Sequence, residues 1–413
     1  MADIIIIGGG IIGLSSAYYL SKQGHQITVI DKGDLTDNCS FGNAGMIVPS
    51  HFVPLAAPGM IRQGIRWMFD SKSPFYVKPS LGGGLPAWGL TFLKKSTQRH
   101  VEESALPLRD LSLLSKQLFQ DLAKEPDFDF ELRNNGILAF YKTEKAAEEE
   151  AHLAKRAIEL GLDMAVLSKA ECEALQPKLK LDVLGAVHYR CDAHLYPVKL
   201  MQALLKYLEQ KGVKIVRNQE VTKMTTNGSQ ISSVFSGTKE WKADQYILAT
   251  GSWSPAVAKL LGLNISLMPG KGYSFMEDEP QQRMSIPALL CEARVAITPM
   301  NGQIRYGGTM EIAKINSQVN MNRVEGIVAS VPKYFPDLKP AVPALKDIWY
   351  GFRPSSPDGL PYIGRSPKLN NLVVATGHGM MGLSLGPATG LLVSQLVSGQ
   401  RPEIDIQAFL PQR

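Results

Sequence analysis

The feature that most limits how this chain can fold is its start, MADIIIIGGGIIGLSSAYYL. A short β-branched run, Asp3–Ile7, is typical of a buried parallel strand. It leads directly into a G-x-G-x-x-G motif made by Gly8, Gly10 and Gly13. The pattern then predicts a helix over Ile11–Lys22 and a second strand over Gln26–Ile30.

The same stretch could be mistaken for a membrane anchor or a signal peptide, because residues 4–20 carry no charge. A signal peptide requires a positively charged start, but the first Lys or Arg is Lys22. A membrane-spanning helix requires about 20 mostly apolar residues, and each glycine costs a helix roughly 1 kcal/mol relative to alanine. The strand–turn–helix interpretation is therefore favoured.

A strand, a glycine-rich turn and a helix in this order begin a dinucleotide-binding fold. We expect Gly8 to permit the turn, Gly10 to let the backbone approach a pyrophosphate, and Gly13 to let the helix pack on the strand. The positive end of the helix would face the phosphates. Asp31 follows the second strand, where its carboxylate can accept hydrogen bonds from ribose hydroxyls. This acid argues against a 2′-phosphate, although the neighbouring Lys32 weakens that argument.

Composition excludes several function classes. The 413 residues are enough for two or three domains, and 45% hydrophobic with 20% charged residues is typical of globular proteins. The net charge is +6, but the basic residues are dispersed, so no nucleic-acid-binding surface is indicated. The four cysteines lie far apart and form no C-x-x-C pair. We therefore expect no metal site and a reducing, cytoplasmic location.

A second uncharged stretch lies near the C-terminus, where His378 is the one ionisable residue between Lys368 and Arg401. Its many glycines argue against a membrane helix. We predict a strand over Leu372–Thr376, a glycine loop, and a buried helix that starts near Pro387, since proline is tolerated in a first turn. The positive N-terminus of that helix would stabilise a negative group at the loop, such as a reduced flavin.

Together with ILATGSWS at 247–254, these features resemble the D-amino-acid oxidase superfamily of FAD-dependent oxidoreductases, and most closely its bacterial D-amino-acid dehydrogenases. The similar stretches follow the family's order along nearly the whole chain. They are GNAGMI (42–47), AAPG (56–59), IRWMF (65–69), KGYS (271–274), AITPMNGQIRYGG (296–308), GFRPSSPDGLPYIGR (351–365) and TGHGMMG (376–382).

The resemblance implies an α/β fold of two interleaved domains. A Rossmann-like FAD-binding domain of the glutathione-reductase type would comprise residues 1–48, 180–255 and 345–413. An α+β substrate-binding domain with an antiparallel sheet would comprise residues 49–179 and 256–344.

The resemblance also implies FAD held without a covalent bond, because the matching loop, GHGMMG, has no cysteine for a flavin link. The N-terminal glycines and Asp31 would hold the ADP half. Val221, at the end of its strand, would meet the adenine, and Gly251 would lie beside the pyrophosphate. The residues that would line the pyrophosphate and the flavin are Ser40, Asn43, Ala44, Gly45 and Met46. Those that would wrap the flavin edge are Gly377, His378, Gly379, Met380, Met381, Gly382 and Leu383.

Arg353 in GFRP matches the family arginine that binds the substrate carboxylate. Its planar guanidinium could make two charge-assisted hydrogen bonds to a carboxylate; a surface or interface arginine is the alternative. Many relatives place a tyrosine beside this arginine, on the strand that here reads VAIT, and Tyr273 is a candidate replacement. His51 and His378 are candidates for contact with the substrate and the flavin, or are structural histidines.

The resemblance implies oxidative deamination of a D-amino acid, in which hydride leaves Cα for the flavin and the imino acid hydrolyses to a keto acid and ammonia. Electrons would pass to a quinone or respiratory carrier, with peripheral association at the inner face of the cytoplasmic membrane. A narrower hypothesis has D-proline or hydroxy-D-proline as the substrate. The alternatives are a glycine- or sarcosine-type oxidase that uses O2, and a flavin subunit of a hetero-oligomeric dehydrogenase. The oligomeric state stays open.

Overall fold

The computed structural model describes residues 1–59, 75–77, 84–279, 281 and 283–413. The predicted similar stretch at 65–69 lies outside the described residues. The α-helices are α1 Ile11–Lys22, α2 Leu85–Lys95, α3 Gln98–Leu122, α4 Glu144–Glu159, α5 Lys169–Leu175, α6 Pro197–Gln210, α7 Ser254–Lys259, α8 Met321–Tyr334 and α9 Gly386–Val397. Short 3-10 helices span Gly251–Trp253, Leu345–Asp347, Gly379–Met381 and Gln407–Phe409. No helix in the described part of the chain is long and apolar enough to cross a membrane.

A six-stranded sheet combines the two ends of the chain with its middle. Its strands are β1 Asp3–Ile7, β2 Gln26–Ile30, β9 Lys214–Val216, β13 Gln245–Leu248, β19 Tyr362–Arg365 and β20 Leu372–Thr376. They lie in the order β19-β20-β13-β1-β2-β9, and all neighbours are parallel except β19 and β20. The strands predicted from the N-terminal motif and from the tail are confirmed, as is the helix after the glycine turn.

The all-isoleucine sequence of β1 follows from burial on both faces of this sheet. Ile4 and Ile6 pack into the core that α1 and α6 cover, while Ile5 and Ile7 pack into the core on the opposite face. All four side chains are buried. The three-stranded sheet of β10 Lys223–Asn227, β11 Gln230–Ser236 and β12 Lys239–Trp241 contributes to that second core.

Helix α9 packs on helix α1 through glycines. A Cβ on Gly386 would lie 2.7 Å from Ile11 Cγ1, and a Cβ on Gly390 would lie 2.5 Å from the carbonyl carbon of Ser15. Side chains at these positions would push the two helices apart. The predicted buried helix is confirmed, with Pro387 in its first turn.

A nine-stranded, mainly antiparallel sheet forms the second large layer. Its strands are β4 Phe75–Val77, β5 Ile137–Tyr141, β6 Met164–Ser168, β7 Gly185–Tyr189, β14 Met268–Asp278, β15 Ala288–Leu290, β16 Val295–Met300, β17 Gln303–Ile312 and β18 Trp349–Ser355. The order is β18-β14-β17-β16-β15-β5-β7-β6, with β4 paired to the end of β17. Only the β5–β15 and β4–β17 pairs are parallel among these strands.

A two-stranded ladder of β3 Met46–Ile47 and β8 Ala193–His194 completes the described sheets. Met46 opposes His194 and Ile47 opposes Ala193, in antiparallel register. This short ladder places the residues just after β3 beside the residue just before β8.

The structure differs from the sequence prediction at Val221, which lies in a loop rather than at the end of a strand. Strand β9 ends at Val216, because Asn218 adopts a positive φ of 56° and its N–H bonds to the carbonyl oxygen of Gly33. Strands β7 and β18 join the nine-stranded sheet, although their residues fall inside the segments predicted for the FAD-binding domain. The domain boundaries stay a prediction.

Candidate active site

The two large sheets contribute to the wall of one cavity of about 1350 Å³, which is larger than most small-molecule pockets, roughly 300–1,000 Å³. The predicted site residues that line it are Gly8, Gly10, Asp31, Lys32, Ser40, Asn43, Ala44, Met46, His51, Val221, Gly251, Tyr273, Arg353, His378, Gly379, Met380, Met381, Gly382 and Leu383. Segments far apart in sequence therefore meet at one site.

The N-terminal glycine turn has the geometry that its motif predicts. Gly8 adopts a φ of +107°, and a Cβ there would lie 2.4 Å from the carbonyl oxygen of Ala249. A Cβ on Gly13 would lie 1.9 Å from the carbonyl oxygen of Gly8. Glycine is thus required both for the turn and for the packing of α1 behind it.

The N-terminus of α1 faces the cavity, and side chains fix the polar groups around it. The N–H of Ile11 donates to Ser40 Oγ at 3.0 Å, which places that hydroxyl at the positive end of the helix. The Asp31 carboxylate accepts hydrogen bonds from the N–H groups of Gly9 and Gly33, each at 2.7 Å. Each carboxylate oxygen retains a lone pair that a ribose hydroxyl could use.

Bare backbone lines the cavity at three glycines, which tests whether a dinucleotide fits. A Cβ on Gly10 would meet only Ser40 Oγ, at 3.6 Å, and a Cβ on Gly251 or Gly379 would meet no atom within 4 Å. A dinucleotide pyrophosphate approaches peptide N–H groups at such positions. The residues present therefore fit the predicted cofactor.

Lys32 is held at the edge of the same wall by an aromatic ring. Its Nζ lies 3.8 Å from the centre of the Trp253 ring, a cation–π contact. Burial lowers the pKa of Lys32, while Glu220 and Asp31 act in the opposite direction. Val221 lines the wall next to these groups, at the end where the adenine would lie.

Two predicted flavin contacts, Gly45 and Gly377, lie behind the cavity wall together with Gly13. Gly45 adopts a φ of +75°, and a Cβ there would lie 2.2 Å from the carbonyl oxygen of Leu195. Gly377 adopts a φ of +80°, and a Cβ there would lie 2.9 Å from Tyr362 Cδ2. Both positions require glycine because of the positive φ and the close contact, and neither lines the cavity.

His378 lines the cavity while its ring is bound to helix α9. Its Nε2 lies 3.0 Å from Thr389 Oγ1, and the side chain is buried. Desolvation lowers the pKa of His378 to about 3, so the ring is neutral near pH 7. This arrangement fixes the glycine loop on the helix, and the ring carries no positive charge at neutral pH.

Arg353 brings a partly buried cation to the cavity. Its Nη1 donates to the carbonyl oxygen of Thr309 at 2.5 Å, and a Cβ on Gly272 would lie 2.4 Å from both Nη atoms. Burial lowers the pKa of Arg353 to about 10, so the group stays charged at neutral pH. Within the described residues it forms no ion pair. A partly desolvated cation that lines a cavity without a counter-ion suits an anionic ligand.

A bulge in the nine-stranded sheet positions the partner of Arg353. The β14–β17 register shifts at Gly272, so that this residue faces both Thr309 and Met310. Thr309 adopts a φ of +63°, which is uncommon for a β-branched residue. The bulge directs the Thr309 carbonyl to the guanidinium.

Tyr273 lines the cavity, but its hydroxyl does not contact Arg353, the residue it is predicted to assist. The hydroxyl donates to Glu311 Oε2 at 3.1 Å and accepts from the N–H of Asn320 at 3.2 Å. Burial raises the pKa of Tyr273 above its usual value. The tyrosine fixes the end of β17 and the start of α8, and makes no hydrogen bond to Arg353.

His51 connects the cavity to a buried carboxylate. Its Nδ1 lies 3.0 Å from Ser50 Oγ, and that hydroxyl donates to Asp192 Oδ2 at 2.6 Å. The N–H of Ser50 donates to Asp192 Oδ1 at 3.0 Å. Burial lowers the pKa of His51 to about 4 and raises that of Asp192, which is fully buried, to about 7.

Comparison with known proteins identifies the family. The family model of FAD dependent oxidoreductases matches residues 3–396. This chain belongs to that family. The predicted cofactor, FAD, and the predicted class, an oxidoreductase, are thereby confirmed, as is the resemblance to the D-amino-acid oxidase superfamily.

Individual relatives match over nearly the whole length. The D-amino acid dehydrogenase of Granulibacter bethesdensis is 31% identical, over 97% of this chain and 97% of that protein. The D-amino acid dehydrogenase of Vibrio vulnificus is 32% identical, over 97% and 96%. The crystal structure of glycine oxidase from Geobacillus kaustophilus superposes with a TM-score of 0.79 at 23% identity, over 100% of this chain and 98% of that one, which confirms the predicted fold class.

Sequence reasoning did not identify four residues that shape the flavoprotein's site: Ser50, Asp192, Thr309 and Trp253. Thr309 lies within a strand, and the sequence around it gives no indication that its φ is positive. Trp253 lies two residues after the ATG motif at 249–251 and could have been proposed as an aromatic ring beside Lys32. Asp192 lies 142 residues from Ser50, so only the β3–β8 ladder reveals their contact.

Proposed function

We propose that this flavoprotein dehydrogenates D-amino acids, giving an imino acid that hydrolyses to a keto acid and ammonia, and passes the electrons to a quinone or respiratory carrier. The single observation that carries the proposal is Arg353, a partly buried guanidinium in the cavity with one carbonyl partner and no ion pair among the described residues. Two relatives above 30% identity that are named D-amino acid dehydrogenase support the substrate class.

The substrate carboxylate would bind Arg353. One guanidinium edge already donates to the Thr309 carbonyl, which fixes the fork and leaves its other N–H groups for the ligand. Charge-assisted bonds of this type are short and directional, so they orient the substrate Cα as well as bind it. The bulge at Gly272 makes the space that the fork occupies.

When bound, FAD supplies the two-electron acceptor that takes hydride from Cα. The chain's own residues bind and orient the substrate. The cavity wall also includes apolar side chains, among them Leu153, Leu289, Val295 and Ala296. A wall of this kind suits apolar or cyclic side chains, and we include D-proline and hydroxy-D-proline among the substrates proposed.

The decisive experiment is anaerobic bleaching of the flavin by paired D- and L-amino acids, followed by reoxidation. We expect bleaching by D-enantiomers, and reoxidation by a quinone analogue much faster than by O2. Bleaching by L-enantiomers alone would contradict the stereochemistry proposed. Reoxidation by O2 at a comparable rate, with stoichiometric peroxide, would favour the glycine- or sarcosine-type oxidase.

We propose further that the protein associates peripherally with the inner face of the cytoplasmic membrane, where a quinone resides. Leu90 and Leu93 of α2 are 55% and 53% exposed, and Lys94 and Lys95 follow them. Exposed leucines beside lysines suit an anionic bilayer surface. Sedimentation with vesicles containing anionic lipid tests this: the double variant Leu90→Ser, Leu93→Ser should stay in the supernatant. Equal partitioning of parent and variant would exclude this surface.

A further inference from the structure

We propose that His51, Ser50 and Asp192 form a proton relay that takes a proton from the substrate's ammonium group. The inference rests on the proposed function, because it assigns to these residues a step that an amino-acid substrate requires. An amino acid at neutral pH carries an ammonium group, but hydride can leave Cα only as a nitrogen lone pair forms the imine bond. The ammonium must therefore lose a proton first.

The hydrogen bonds fix which nitrogen of His51 faces the ligand. A serine hydroxyl has one hydrogen, and Ser50 gives it to the Asp192 carboxylate at 2.6 Å. Toward His51 Nδ1, 3.0 Å away, Ser50 Oγ can then act only as an acceptor. The ring hydrogen consequently lies on Nδ1, and Nε2 carries the lone pair. Nε2 has no hydrogen-bond partner among the residues described, and the ring lines the cavity.

The fold holds this chain of three groups in place. The antiparallel ladder of Met46 with His194 and Ile47 with Ala193 puts residue 192 beside the segment after β3. The N–H of Ser50 also donates to the Asp192 carboxylate, at 3.0 Å. Ser50 and Asp192 are buried, so water does not compete for their hydrogen bonds.

The proposed step balances in hydrogen atoms and charge. An N–H bond of the substrate ammonium breaks as an Nε2–H bond forms on His51. The Nδ1–H bond breaks as Ser50 Oγ receives that hydrogen, and the original Ser50 hydrogen moves to Asp192 Oδ2. The substrate becomes a neutral amine, the carboxylate becomes a carboxylic acid, and His51 changes tautomer while it stays neutral.

The charges around the relay are compatible with this direction of transfer. Asp192 faces Ser50 and the Cys191 thiol, which donates to Oδ1 at 3.4 Å, and it also feels the charge of Lys116 and lies near Tyr189. Its pKa of about 7 makes it a competent proton acceptor at neutral pH. His51 faces Arg294, and burial lowers the pKa of the ring to about 4. This low pKa does not block the relay, because the imidazole is never charged before or after it.

The alternative role for Asp192 is structural, as an anchor of the turn at Ser50. Asp192→Asn separates the two roles. The amide oxygen can still accept from the Ser50 N–H, while the amide nitrogen must donate to Ser50 Oγ. The Ser50 hydroxyl would then donate to His51 Nδ1, which moves the ring hydrogen to Nε2. The turn keeps its hydrogen bonds, but the relay loses its acceptor.

The first test measures anaerobic flavin reduction by a D-amino acid against pH, in the flavin-loaded protein and in Asp192→Asn and Ser50→Ala. We expect kcat/KM at pH 7 to fall by about 10²-fold or more in both variants. The deficit should shrink steadily as pH approaches the pKa of the substrate's amine, because free amine no longer needs the relay. Cys191→Ala is the matched control, since it removes the other side-chain contact of Asp192 and should keep the parent's pH profile.

An equal loss at every pH would show that Asp192 is an anchor and would overturn the relay. The second test needs no substrate. ¹⁵N NMR of the histidine rings in the holoenzyme should show the Nδ1–H tautomer for His51 in the parent and the Nε2–H tautomer in Asp192→Asn, with His51→Gln identifying the signal. The same tautomer in both proteins would also overturn the relay. Failure of the parent to be reduced by any D-amino acid would instead reject the proposed function.

Discussion

Replacing Arg353 with methionine should change stability and activity in opposite directions. Burial lowers the pKa of Arg353 from 12.5 to about 10, so the folded protein disfavours its charge by about 3 kcal/mol, at 1.36 kcal/mol per unit. Its hydrogen bond to the Thr309 carbonyl offsets part of this cost. Arg353→Met should therefore raise the melting temperature, by at most about 3–4 °C for 413 residues.

The same change should remove about 2–5 kcal/mol of transition-state stabilisation, because the substrate carboxylate loses its charged partner. The value of kcat/KM for a D-amino acid should therefore fall roughly 30- to 5,000-fold. Arg353→Lys should recover only part of the activity, since an ammonium cannot make the fork. The assay is anaerobic flavin reduction by a D-amino acid and by the amine that lacks its carboxylate. The amine should be a poor substrate of the parent and should lose little further in the variant.

Arg305 provides a matched control, because burial also lowers its pKa to about 10. It lies outside the cavity wall, and its Nη1 donates to the carbonyl oxygens of Phe41 and Asn43 at 2.9 and 2.5 Å. Arg305→Met leaves two carbonyls without a donor, at about 1.5–3 kcal/mol for each charged bond, and should lower the melting temperature. The carboxylate assignment is refuted if Arg353→Met slows the amino acid and the amine by the same factor.

Three further outcomes are expected. Gly10→Val should purify folded but without flavin absorbance, because a Cβ there would meet only Ser40 Oγ, at 3.6 Å, and the side chain would occupy the space of the pyrophosphate. Gly13→Ala should instead fail to fold, because its Cβ would lie 1.9 Å from the carbonyl oxygen of Gly8. A yellow Gly10→Val protein would contradict this prediction. Acid precipitation should release the flavin into the supernatant, and flavin in the pellet would disprove non-covalent binding. Burial lowers the pKa of His378 from 6.5 to about 3, so below pH 6.5 the unfolded chain binds a proton that the folded protein does not. The free energy of unfolding therefore falls as pH decreases from 6.5 toward 3. Between pH 7 and pH 4, His378→Gln should therefore lose about 3 kcal/mol less stability than the parent, and equal falls in melting temperature would contradict this.

Local signals in the sequence were sufficient for the nucleotide-binding part of the fold. The bounds predicted for β1, α1, β2 and β20 are those of the structure, because a buried strand and a glycine turn are specified by neighbouring residues. The family resemblance, and not local pattern, suggests Arg353 and His51 as site residues, and the structure places both at the cavity. Both stand in short motifs, and both line its wall.

Features that depend on distant contacts could not be predicted in this way. The sequence suggests Tyr273 as a hydrogen-bonding partner of Arg353, but the bulge at Gly272 and the start of α8 direct its hydroxyl to Glu311 and Asn320. The sequence predicts that Val221 ends a strand, yet the hydrogen bonds of residues 218 and 219 to the loop after β2 end that strand earlier. In each case a partner remote in sequence determines the local conformation.

The glycine-mediated contact of α9 with α1 has a consequence for how the protein is made. The first strand pairs with β13, at residues 245–248, and the first helix packs on residues 386–397, so the cofactor-binding wall that residues 3–31 begin is completed by residues far later in the chain. At about 5–20 residues per second, some 20–70 s separate the synthesis of α1 from that of α9. For most of this interval β1 has only β2 as a neighbouring strand, because β13 is not yet made, and it has no helical cover from α9. We therefore expect flavin to bind only after residues 372–397 have been made, and a protein truncated after residue 370 should hold no flavin although its glycine motif is intact.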